Sequence, residues 1–210
     1  MLRYFLRKVV GKRATFRPKL LLALPGGMAP SERQTLVDVI VDAGVRSVVP
    51  VDEGVASAIG AGMRIDQPYG RMNIDIGGGR TNVCVFSFGH QIVWDILQVG
   101  GDKFDDAIID YLRKKHNLLI GARTAEDLKI DIGSAGKQEP GSAEDVLLRG
   151  RDVRTGKPAT VSVSPKDVNK AILPPLQTLL ENIREAFENT PPELAADILE
   201  RGVYLSGGGA

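Results

Sequence analysis

Apolar side chains fall along this chain in two rhythms, and the rhythm changes near residue 70. Leu2, Tyr4, Phe5, Leu6, Val9 and Val10 suit a short amphipathic helix closed by Gly11, followed by a basic loop over 12–18. The unbroken run Leu20 to Leu24 predicts a buried strand. Ser31 and Glu32 open a helix with Leu36, Val37, Ile40 and Val41 on one side, ended near Gly44, and Val45 to Val51 is the next strand. A strand, helix and strand of this length form a parallel βαβ unit, whose working edge lies where strands end and helices begin. Asp52 and Glu53 fall at that edge. A helix over about 55–61 follows, and Gln67-Pro68-Tyr69-Gly70 predicts a turn that divides two domains, 1–68 and 69–210.

Beyond the turn the period becomes that of strands. Met72 to Ile76, Val83 to Phe88 and Ile92 to Val99 have short glycine-containing connections, the mark of an antiparallel meander. Gly100-Gly101-Asp102 caps a helix carrying Phe104, Ala107, Ile108, Tyr111 and Leu112, and Thr124 starts another with Ala125, Leu128 and Ile132. Residues 134–165 predict a small excursion of two or three strands, so that about 104–165 forms an inserted subdomain. A long helix from Pro165 to about Ala186 is expected to kink at Pro174-Pro175. A short helix over 193–200 leads to a strand, Val203 to Leu205, that runs into Ser206-Gly207-Gly208-Gly209. The fold class is α/β.

Composition narrows the function. The chain's 27 basic and 26 acidic residues nearly cancel, so total charge does not point to nucleic acid as a partner. The distribution is uneven: the first 31 residues hold seven basic side chains and no acid, leaving about −6 on the remainder. Cys84, the one cysteine, excludes an internal disulfide framework and fits a reducing, cytoplasmic compartment. The longest apolar run, Leu20 to Leu24, is far below the roughly 20 residues of a membrane span.

Chemistry concentrates in Asn73-Ile74-Asp75-Ile76-Gly77-Gly78-Gly79-Arg80-Thr81-Asn82: a strand, a carboxylate within it, a triple-glycine turn and a second strand. Three glycines let successive amides face one point and form an anion nest suited to phosphate, although the same residues also suit an ordinary hairpin. Asp75 could hold Mg²⁺ through its water shell. Gly207, Gly208 and Gly209 repeat the design of a strand entering glycines, where a flat base or ribose could approach the backbone, or where a chain could simply end in a flexible tail. Glu126 and Lys129 lie three apart on one helical face, as a bracket for ribose and adenine or as a solvated ion pair.

This set, in this order, resembles the superfamily of actin, sugar kinases and heat-shock chaperone ATPases, and within it the bacterial actin-like MreB family. The resemblance covers essentially the whole chain and rests on Phe16-Arg17-Pro18-Lys19, Ala56 to Gly62, Asp75 to Gly79, Gly100 to Asp105, Ile132 to Ala135, Pro191 to Ala195 and Ser206 to Ala210. It implies a partial actin-like, ribonuclease H-like ATPase fold, the end of the first half plus most of the second. It makes Asp75 and Gly77 to Gly79 the second phosphate loop, Glu126 and Lys129 the ribose and adenine contacts, and Gly207 to Gly209 the adenosine loop. Glu53 matches the residue that positions the attacking water, a role open to a carboxylate at a strand end, which equally could serve only the helix dipole. The implied cofactors are ATP and Mg²⁺.

Thr15 and Phe16 fall where the family places an apolar loop that dips into the membrane. Phe16 among Arg13, Arg17 and Lys19 suits an anionic leaflet, at about 1 kcal/mol per basic residue, and suits a solvated basic loop as well. The implied partners are further copies in a filament, the anionic inner-membrane surface, and the cell-wall elongation proteins MreC, MreD and RodZ. The implied place is cytoplasmic, on the inner face of the membrane, and the implied function is the direction of wall synthesis and rod shape. A chaperone-type ATPase or a sugar kinase on the same fold, or an inactive copy, are the rivals.

Three departures lie beside the presumed phosphates: Arg80 and Asn82 where the family has Thr and Glu, and Gly54 where it has proline. Arg80 could add a phosphate contact or crowd the site, and Gly54 is expected to loosen the helix that starts with Glu53. The family's first phosphate loop should precede Met1, and Ala210 falls right after the adenosine loop. The chain is therefore expected to be cut short at both ends, to bind ATP weakly alone, and to aggregate through an exposed sheet edge.

Overall fold

A computed structural model describes residues 2–11, 17–136 and 144–210. The first part of the chain holds helix α1 (Leu2–Val10), strand β1 (Lys19–Leu24), helix α2 (Pro30–Asp42), strand β2 (Ser47–Asp52) and helix α3 (Glu53–Gly60). As the strand-helix-strand order predicted, β1 and β2 pair in parallel, with Leu24 opposite Asp52. β1 is not the buried strand its apolar run suggested: only Leu24 is buried, because alternate side chains of a two-stranded sheet point to opposite faces. Leu24, Ile40 of α2 and Val45 are buried, whereas Leu21 and Val49 are exposed.

The meander follows as expected: β3 (Arg71–Ile76), β4 (Thr81–Ser87) and β5 (His90–Leu97) are antiparallel neighbours. Next come α4 (Gly101–His116), β6 (Leu118–Leu119), α5 (Ala122–Ile132), β7 (Val146–Asp152), β8 (Pro158–Val163), α6 (Pro165–Glu188), α7 (Pro192–Arg201) and β9 (Val203–Ser206). β9 returns to pair with β3 in parallel, which gives a four-stranded sheet in the order β5-β4-β3-β9. Strands β6, β7 and β8 form a separate three-stranded sheet; the two residues of β6 are too few to announce themselves by alternation.

Alternation decides which face each side chain serves. Met72, Ile74 and Ile76 of β3, with Val83 and Val85 of β4, join the main core with Phe104, Ile108 and Leu112 of α4, Ala125, Leu128 and Ile132 of α5, and Val168, Ile172 and Leu179 of α6. On the other face Cys84 and Phe86 pack with Ala58 of α3 and Met63. β4 is buried along its whole length because helices cover both its faces. Helix α6 spans Pro165–Glu188 as one element with Pro174 and Pro175 inside it, where the sequence suggested a kink. Among the described residues no helix is long and apolar enough to cross a membrane.

Candidate functional site

Strand β3 has an apolar face for the core and a polar face for the cleft. Asn73 and Asp75 alternate with Met72, Ile74 and Ile76, and so project towards α3. There Asn73 Nδ2 donates to Ser57 Oγ of α3 at 3.0 Å, and Ser57 Oγ shares a 2.8 Å hydrogen bond with Ser206 Oγ of β9. Ser206 Oγ also lies 3.2 Å from Asp75 Oδ1, to which it can donate. This network ties the helix that starts with Glu53 to the ends of β3 and β9. Of its members, the sequence singled out only Asp75; Asn73, a lone amide in an apolar strand and 1% exposed, was the available signal for the rest.

Pairing in parallel brings the two glycine clusters to one end of the sheet, with Asp75 opposite Ser206. The Gly77 amide donates to Arg80 O at 2.9 Å and closes the first turn. The amides of Gly101 and Asp102 take the carbonyls of Gly77 and Gly78, at 2.9 and 2.8 Å, and seat the turn on the start of α4. The Gly209 amide donates to Ile76 O at 2.8 Å, so the second cluster lies directly on the first. Gly207 has φ +91°, and a Cβ there would meet the Ile76 carbonyl oxygen closer than 3.0 Å. The Asp102 carboxylate, read from sequence only as part of a cap, lies beside Gly78 and Gly79.

Beside these loops is a cavity of about 500 Å³, lined by Ile76, Leu205, Gly208 and Gly209 on one side and by Phe104, Lys129, Ile130, Gly133 and Leu179 on another. Apolar walls with a few polar groups and a volume of this order are those of a small-molecule site. Lys129 lines it, with Nζ 2.8 Å from Asp105 Oδ1 as an ion pair and donating to Gly101 O at 3.2 Å. Glu126, one turn earlier on α5, is exposed.

Across the cleft, Asp52 caps α3 by accepting from the Gly54 amide at 2.9 Å, which sets the first helical residue, Glu53, in place. The helix start that Gly54 was expected to loosen is thus held by a side-chain cap, and Gly54 itself is buried against the Cys84 thiol. Burial, with Asp52, Asp75 and Glu53 nearby, pushes that thiol up to about 12. Glu53 is not alone: Arg80 Nη2 donates to Glu53 Oε2 at 2.6 Å. The structure thus brings Glu53, Asp75, Gly77 to Gly79, Arg80, Lys129 and Gly207 to Gly209 to one region. Arg17 is exposed on the entry to β1, while Arg13 and Phe16 lie outside the described residues.

The residues present fit a nucleotide with Mg²⁺. At Gly207 and Gly209 a Cβ would fall closer than 3.0 Å to Ile76, so glycine is what lets the second loop lie on the first, and the cavity beside them can take a nucleoside. Among the described residues no group of three or more His, Cys, Asp or Glu could hold a metal directly; Asp75, beside the second glycine loop, is a carboxylate of the kind that can hold Mg²⁺ through its water shell.

The chain matches the family described as MreB/Mbl protein over residues 1–210. It is 38% identical over 211 residues to the cell shape-determining protein Mbl of Bacillus cereus, across all of this chain and 62% of that protein. It superimposes on a crystal structure of MreB5 of Spiroplasma citri bound to ADP with a TM-score of 0.92 at 35% identity, over 99% of this chain and 62% of that one. A MamK double helical filament, at 18% identity and a TM-score of 0.77, shares the fold, which is a partial actin-like α/β fold. The chain spans less than two thirds of the length of each of these proteins.

Proposed function

The chain belongs to the MreB/Mbl family, and from that membership we propose that it supplies the nucleotide cleft of an actin-like cytoskeletal protein whose filaments direct cell shape. The observation that carries this reading is the stacking of two glycine loops, 77–79 and 207–209, on each other beside Asp75. The ADP bound to the similar MreB5 supports it.

In this reading the amides of Gly78 and Gly79 would receive phosphates, since that of Gly77 is taken by the Arg80 carbonyl, Gly207 to Gly209 would let adenosine lie against the backbone, and Asp75 would hold Mg²⁺ through its waters. Bound Mg-ATP supplies the phosphoanhydride and the metal's charge. Glu53 accepts a hydrogen bond from a water and orients it towards the terminal phosphate. Lys129 forms a wall of the adenosine cavity and Glu126 reaches the ribose. Residues 1–68 belong to the first actin-like domain and 69–210 to the second, with an inserted part at about 104–165.

The filament's partners are further copies of the chain, as the MamK filament suggests, and the elongation proteins MreC, MreD and RodZ. Phe16, Arg13 and Arg17 would hold it peripherally to an anionic inner membrane from the cytoplasmic side. Sedimentation of the purified protein with ATP, with ADP and without nucleotide tests the proposal. Polymer that pellets only with ATP is expected, and a monomer under all three conditions would count against it.

A further inference from the structure

The roles proposed for Glu53 and for the glycine turn do not require the ion pair that joins them. Arg80 follows the turn directly, and its Nη2 reaches Glu53 Oε2 at 2.6 Å, with the side chains 35% and 31% exposed. A pair this open to water adds little to folding and is easily exchanged. Its surroundings are acidic: Asp52 caps α3, Asp75 sits at the end of β3, and the Asp102 carboxylate lies against Gly78 and Gly79. Lys129, which also lines the cavity, is committed to Asp105 and to Gly101 O.

A carboxylate paired with a guanidinium through one oxygen, as Glu53 is through Oε2, is a weaker acceptor and is held in the orientation of that pair, so it is less free to turn its remaining lone pairs to a water. A terminal phosphate on the Gly78 and Gly79 amides would put several charged oxygens beside Arg80, and a guanidinium binds phosphate through two parallel bonds. The phosphate would also repel Glu53. We propose that Arg80 is a phosphate-responsive latch on Glu53: it holds the carboxylate while no terminal phosphate is present and exchanges it for the phosphate of a bound nucleoside triphosphate, which frees Glu53 to take a water. Arg80 is then a positioning residue that ties water activation to the triphosphate state. The latch rests on the reading of residues 77–79 as the phosphate turn.

Calorimetric titration of the purified protein with Mg-AMPPNP and with Mg-ADP tests this on four forms: unchanged, Glu53→Gln, Arg80→Thr, and both together. Neutralising Glu53 relieves repulsion in either background, but only where Arg80 is present does it also open the latch. Glu53→Gln therefore tightens AMPPNP binding on the order of fivefold more with Arg80 than in the Arg80→Thr background. For ADP, which has no terminal phosphate, the two gains are equal. Binding of AMPPNP with equal gains, or with the larger gain in the Arg80→Thr background, overturns the latch alone. Failure of both nucleotides to bind any of the four overturns the phosphate turn and the latch with it.

Discussion

Gly54 donates its amide to Asp52 Oδ1 and packs against Cys84 Sγ, so two residues far apart in sequence share one small space. A proline there would lack the N–H that Asp52 takes, and any Cβ would fall closer than 3.0 Å to the sulfur while lying 3.6 Å from the Cys84 Cβ. Positions 54 and 84 are therefore matched in size. Gly54→Ala should cost about 1–3 kcal/mol by overpacking. Adding Cys84→Ala should return part of it, because the clash with the sulfur is removed, leaving an ordinary contact with the Cβ of residue 84 and a tighter one of 3.3 Å with Asp52 Oδ1. Urea unfolding of both variants checks this, and a double variant no more stable than Gly54→Ala would refute the pairing. Glycine at position 54 was visible in the sequence, but its partner was not, since nothing local to Cys84 reports what covers it.

The joint between α4 and α6 shows how an element is held by one buried acid. Asp167, in the first turn of α6 and 6% exposed, receives Lys115 Nζ and Tyr111 Oη from the end of α4, with His116 Nε2 at 3.6 Å. Burial pushes the Asp167 carboxyl up, but the bonds from Lys115 and Tyr111 outweigh it and leave it below its ordinary value. With its folded pKa depressed, this group adds stability that is complete above the unfolded value of about 3.9 and fades as pH falls through the folded value. Asp167→Asn should cost about 1–2 kcal/mol at neutral pH, and its deficit relative to the unchanged protein should shrink in acid. Thermal unfolding from pH 7 to pH 3 measures the gap, and a gap that stays constant or widens would show that Asp167 is not the acid-sensitive contact. The helices themselves were legible from their apolar spacing, as was the meander, whereas β6 has two residues and offers no period to read.

At the scale of the whole molecule, local pattern found both glycine clusters but could not say that they meet. That follows from the return of β9 to β3 and from a hydrogen bond between Ser57 and Ser206, 149 residues apart. The likeness of the two clusters, each a strand entering glycines, was the legible part. The arrangement across the cleft was not: the sequence left Arg80 either to add a phosphate contact or to crowd the site, and gave no sign of its bond to Glu53. The most direct test is a titration of the purified protein and of Gly207→Ala with Mg-ATP. Gly207 has φ +91° and its Cβ position lies on the Ile76 carbonyl, so alanine must displace the loop from the first glycine turn. Saturable binding to the unchanged protein is predicted, weakened roughly tenfold or more in the variant, in line with the 1–3 kcal/mol that backbone strain of this kind costs. No saturable binding, or equal affinity in a folded Gly207→Ala protein, would contradict a nucleotide cleft built from the two glycine loops.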